Sequence, residues 1–141
     1  MALLSNVLAN NFIGYTGAGA IVDTIATQTL TNKTLTSVVL GGSITEGVYT
    51  ITDGASVDLN PVNGTIQVWS LGASRTATAS SFAAGQAMTL MIANATAYAL
   101  TFPTVTWANA TAPTLTNTGY TVIELWKVGT TLYGAIVGNV T

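Results

Sequence analysis

Asp53 and Asp58 are the only close pair among the five carboxylates of this sequence, the others being Asp23, Glu46 and Glu124. Glycoside hydrolysis needs two carboxyl groups converging across a sugar, so this pair is the first place to look for acid–base chemistry. Asp53 is followed by Gly54, however, and an Asp in a turn dipeptide bonds its own backbone. Both residues therefore read as turn and strand residues. Asp58 with nearby carbonyls could touch a Ca²⁺, but a specific site takes more carboxylates than the sequence offers there. Histidine is absent, which removes the commonest general base and a leading metal ligand. Cysteine is absent as well, excluding disulfides and thiolate metal sites. Glu124 and Lys127 are expected to neutralise each other or Arg75. No catalytic group, cofactor site or metal site is expected.

The elements that would position such residues have an unusual composition. Charged residues make up 6% of 141 residues, against about 25% in ordinary soluble domains. At 49% hydrophobic the chain is far from the low-hydrophobicity, high-charge regime of disorder. Polarity comes from Thr, Ser, Asn and Gly. A surface so poor in charge opposes association weakly, which points to burial in an oligomer or larger assembly. Only Lys33, Arg75 and Lys127 are basic, too few to neutralise a run of phosphates, so nucleic acid is not an expected partner. No stretch offers 18 uninterrupted apolar residues and the N-terminus lacks the basic region of a signal peptide, so neither membrane insertion nor secretion is expected.

Two regions follow along the chain: an attachment arm over 1–40 and a body over 41–141. Leu4, Val7, Leu8 and Phe12 fall at helical spacing, in a segment too short to hold a helix without a docking surface. Gly17-Ala18-Gly19 matches the start of a dinucleotide fingerprint, but Val22 occupies the place of the third glycine and no strand precedes it. Thr29-Leu30-Thr31-Asn32-Lys33-Thr34-Leu35-Thr36 is nearly a tandem repeat. Its β-branched alternation suits an extended strand with Leu30 and Leu35 on opposite faces.

From Val38 onward the pattern is β. Val48–Thr52 reads as a strand turning at Asp53-Gly54 into a return strand at Val57–Leu59. Thr65–Leu71 follows, then a polar run over Ala73–Ser81 and a turn near Gly85-Gln86. Met88, Leu90 and Ile92 alternate in the next strand, with Thr89 on its other face. Tyr98, Leu100 and Phe102 alternate in another. A hairpin, Tyr120–Val128 and Leu132–Val137, closes the chain. Its first strand is apolar on both faces: Tyr120, Val122 and Trp126 on one, Ile123 and Leu125 on the other. A strand facing water on one side lacks that second apolar face, so Trp126 is expected at a subunit contact. Short strands with no helical run between them imply an all-β body, an antiparallel β-sandwich of jelly-roll type. Trp69, Trp107, Trp126, Tyr15 and Tyr133 are the aromatics that could stack on a glycan.

The segment Thr27-Gln28-Thr29-Leu30-Thr31-Asn32-Lys33-Thr34-Leu35-Thr36-Ser37 resembles a run that recurs in tailed-bacteriophage virion proteins, especially fibres and other appendages. The run from Trp107 through Pro113-Thr114-Leu115, Gly119-Tyr120 and Leu132-Tyr133-Gly134 is similar to C-terminal β-domains of phage structural proteins. The resemblance implies a non-enzymatic virion protein: a trimeric capsid decoration (cement) protein or head fibre, assembled in the host cytoplasm. The implied partners are further copies of itself and the major capsid protein or another virion protein. The alternative is a short tail fibre or adhesin that binds host surface glycans. The shortness of the chain and its lack of a repetitive shaft favour the compact attachment. The expected particle or subunit contacts are Leu4, Leu8, Phe12, Leu30, Leu35 and Trp126.

Overall fold

The computed structural model describes Thr29 and residues 34–94, 97–116 and 118–141. The chain divides after Leu40, and Gly41–Thr141 forms a compact unit that carries all of the described strands. In chain order these are β1 (Val48–Thr50), β2 (Ser56–Asp58), β3 (Ile66–Ser70), β4 (Arg75–Thr78), β5 (Ala87–Ala93), β6 (Leu100–Thr101), β7 (Thr106–Trp107), β8 (Tyr120–Val128) and β9 (Thr131–Val140). The fold is all-β, and no α-helix occurs among the described residues.

Successive strands alternate between two sheets. β1, β3 and β5 lie parallel and adjacent in one sheet, while β2, β4 and β6 lie parallel in the other. Parallel neighbours need a long crossover, usually a helix. Here the crossover is a strand of the opposite sheet, so the chain winds as a β-solenoid. Val48 pairs with Ile66 and Ile66 with Thr89, which makes the coils 18 and 23 residues long. The antiparallel hairpin β8–β9 then continues the first sheet beyond β5, and β7 closes it in the order β1-β3-β5-β8-β9-β7.

The expected antiparallel jelly roll is therefore corrected. Asp53-Gly54 does not close a hairpin: β1 and β2 belong to different sheets, and Asp53-Gly54 lies in the corner between them. A corner and a hairpin turn draw on the same Asp/Gly chemistry, so local composition does not separate them. The polar run after Ala73 contains β4, whose Thr76 and Thr78 are strand residues by β-branching. The alternation of Met88, Leu90 and Ile92 is observed, all three buried on the inner face of β5. The closing hairpin is also observed, with a β-bulge between Val122 and Ile123.

Between the sheets lies a core of Ile51, Leu59, Trp69, Leu71, Ala77, Phe82, Met88, Leu90, Ile92, Ile123, Leu125 and Leu132. Burying each of the larger side chains is worth about 1.5–3 kcal/mol, and this sets the coils against one another. The core also holds one polar side chain from β3. Gln67 is 1% exposed, and its amide donates to the carbonyls of Asn60 (2.7 Å) and Gly64 (2.9 Å). It thereby satisfies two carbonyls of the corner that feeds β3. At the other end of the body, Gly134 on β9 accepts the ring of Trp107 from β7. A Cβ there would sit 2.6 Å from that ring.

Candidate functional site

The charged side chains among the described residues are Glu46, Asp53, Asp58, Arg75, Glu124 and Lys127. Asp53 leaves β1 at a corner and accepts from the Trp69 indole at 2.9 Å, the Gly72 backbone N–H at 3.1 Å and the Arg75 guanidinium. The guanidinium contact is bidentate, with the Nη2 bond the tightest. The Arg75 hydrogen bond is the main cause that holds the Asp53 carboxyl well below its ordinary range; partial burial opposes it, and the Trp69 and Gly72 donors add to it.

Asp58, at the end of β2, accepts from Thr78 Oγ1 (2.8 Å), Ser80 N–H (2.7 Å), Ser80 Oγ (2.8 Å) and Ser81 N–H (3.1 Å). Burial pushes this carboxyl up, but the Ser81, Ser80 and Thr78 hydrogen bonds outweigh it and lower the pKa from 3.8 to about 2. Both aspartates thus join one coil to the next. They do not converge on a common cleft: each has its own set of donors on the chain.

The expected pairing of Glu124 with Lys127 or Arg75 is not found. Glu124 accepts from Thr89 Oγ1 on the neighbouring strand at 2.8 Å, and Lys127 donates to the carbonyl of Phe82 at 2.7 Å. Cross-strand register decides this, since Glu124 stands directly opposite Thr89. Glu46 accepts from Thr65 Oγ1. Every charged side chain among the described residues therefore has a bond to the scaffold. No group of three His, Cys, Asp or Glu able to hold a metal occurs among them.

The two sheets present contrasting outer faces. On the three-stranded sheet the outward positions Ser56, Thr76 and Thr101 stand in one row and are exposed, with Asp58 and Thr78 in the next. On the six-stranded sheet one row runs Val48, Ile66, Thr89, Glu124, Ala135, and the next runs Thr50, Val68, Met91, Val122. A further row places Trp126 of β8 against Tyr133 of β9, their rings stacked 5.9 Å apart at 13°. Val48 (65% exposed), Val137 at the bulge (67%) and Val140 (49%) extend this apolar character to the sheet's edges. Glu124 is the only charged side chain in the rows of the six-stranded sheet.

Of the expected contact residues, Leu4, Leu8, Phe12 and Leu30 lie outside the described residues. Leu35 is exposed, and Trp126 is half-buried on the outer face beside Tyr133. The sequence reading found that face in β8 but missed its continuation through Met91, Val68, Ile66 and Val48. The signal was present in β5, where Ala87, Met91 and Ala93 make the outer parity apolar apart from Thr89.

No protein family matches the chain, and neither the curated proteins nor the solved structures include a significantly similar one.

Proposed function

We propose that this chain is a non-enzymatic structural protein of a bacteriophage particle: a homotrimeric capsid decoration protein or head fibre, attached through its N-terminal arm. What supports the non-enzymatic part is that every charged side chain among the described residues is bonded to the scaffold, so none of these carboxylates or amines stands free as an acid or base. The virion part rests on the resemblance of Thr27–Ser37 to phage appendage segments. A winding β-body with few charges suits a particle component, because its stability comes from stacked coils and its surface is available for burial. A chain lacking the residues before Val38 should stay folded and assembled yet fail to bind particles. Undiminished particle binding by that truncated chain would overturn the proposal.

A second reading, a short tail fibre or adhesin for host glycans, draws on one observation. Trp126 and Tyr133 form a stacked, nearly parallel, half-buried aromatic pair, and aromatic ring faces are surfaces on which sugar rings stack. Binding on a glycan array that is lost in Trp126→Ala would favour it; silence on the array together with binding to bare capsids would remove it.

A further inference from the structure

We infer that the outer face of the six-stranded sheet is the surface through which copies of this chain bind one another. The inference rests on the reading of the chain as an assembling structural protein, and names the face and the partner that this reading leaves open. The chain supplies its own control in its two outer faces. Both lie on the same solenoid and are built from the same residue pool. One carries Ser56, Asp58, Thr76, Thr78 and Thr101, as a face in contact with water does. The other carries Val48, Ile66, Val68, Met91, Val122 and Trp126, interrupted in the same rows by Thr50, Thr89 and Glu124. An antiparallel strand facing water on one side has polar residues there. On β8 and β9 the polar groups of that side are few: Glu124, the half-buried Thr131 at the start of β9, and the hydroxyls of Tyr120 and Tyr133.

The occupant follows from charge and area. The single carboxylate of this face, Glu124, already accepts from Thr89 within the sheet, so the surface offers no charge for a charged partner to match. A surface of this kind fits one as apolar as itself, and another copy provides that at equal abundance. Five strands at 4.8 Å spacing and about six residues along each strand give a face of roughly 24 by 20 Å, about 500 Å² in projection. Three such faces meeting about one axis, as the proposed trimer requires, remove about 1,500 Å² in all, within the range of specific interfaces. Trp126 stacked on Tyr133 provides a rigid aromatic anchor at one border, of the type that dominates binding energy.

The test uses the full chain. Its mass in solution is measured by light scattering for wild type, Val122→Lys, Met91→Lys and Thr76→Lys, with circular dichroism as the folding check. The expected result is a wild-type oligomer that persists in Thr76→Lys, on the polar face, and dissociates to folded monomer in Val122→Lys and Met91→Lys. A monomeric wild type, or two folded lysine variants that keep the wild-type mass, would overturn the inference. A readout without any variant covers the case in which both lysine variants fail to fold. In the assembled wild type, peroxide should oxidise Met91 as slowly as the buried Met88, and rapid oxidation of Met91 would overturn the interface. Particle binding by a monomeric wild type would sink this interface and leave the virion reading standing. An oligomer that dissociates as expected but binds no particle would do the reverse.

Discussion

The indole of Trp69 donates to the carboxylate of Asp53 at 2.9 Å, joining the corner after β1 to the middle of the next coil. Trp69 is fully buried, so this bond is the means by which its N–H is satisfied inside the core. The same carboxylate holds Arg75 and the Gly72 N–H, so one side chain fastens three points of the following coil.

Asp53→Ala should therefore destabilise the body more than Glu124→Ala, whose single bond to Thr89 lies on the outer face. It leaves the Trp69 N–H buried without a partner and Arg75 without its counter-ion. Chemical denaturation followed by Trp fluorescence checks the order; equal midpoints for the two variants would contradict it.

Acid should weaken the body. Asp58 is lowered from 3.8 to about 2 in the fold, and Asp53 is lowered further. Between the two values the unfolded chain binds more protons than the native one, so stability falls with falling pH. The contribution is complete above about pH 4 and is lost as pH drops through 3.8 toward 2. Denaturation midpoints measured across that window should decline in wild type and decline less steeply in Asp58→Asn, where the Asp53 contribution remains.

Gly134→Ala should cost about 1–3 kcal/mol by overpacking. The new methyl would meet the Trp107 ring at 2.6 Å and Val105 Cγ1 at 2.9 Å, and must displace β7 from β9. A companion change at Gly129, where a Cβ meets nothing within 4 Å, should perturb Trp107 far less, although its φ of +58° adds its own strain. Near-ultraviolet circular dichroism of the Trp signal distinguishes the two.

Gln67→Ala should lower stability by about 1–3 kcal/mol, because it removes the side-chain donor to the Gly64 carbonyl and leaves the Asn60 carbonyl with the Asn63 N–H alone of its two donors. Hydrogen exchange should then rise first in the corner over 60–64, ahead of β5. Uniform exchange across the body would argue that the amide serves no local role.

Leu90→Ala should be the most damaging of these changes, about 2–5 kcal/mol, since Leu90 is fully buried at the centre of β5 between both sheets. Thermal unfolding of the pair Leu90→Ala and Thr89→Ala checks that the inner parity, and not the strand position, carries the cost.

By itself the sequence determined that the body is all-β, that its last two strands form a hairpin, and that Met88, Leu90 and Ile92 face inward. These follow from β-branching and period-two alternation, which act over neighbouring residues. It also showed, through β8, that one strand has two apolar faces. Tertiary structure decided the winding. Whether Asp53-Gly54 folds β1 back on itself or sends it across to the opposite sheet depends on the pairing of Val48 with Ile66, 18 residues away. It decided the faces of β3 as well, where Gln67 is buried and Ile66 and Val68 face out. Gln67 is carried inward because Trp69 and Leu71, both buried, share its parity, and its amide finds two carbonyl acceptors at the corner. Burying Trp69, and satisfying Gln67 in the process, outweighs the exposure of two aliphatic side chains. That exposure is what leaves the outer sheet face apolar.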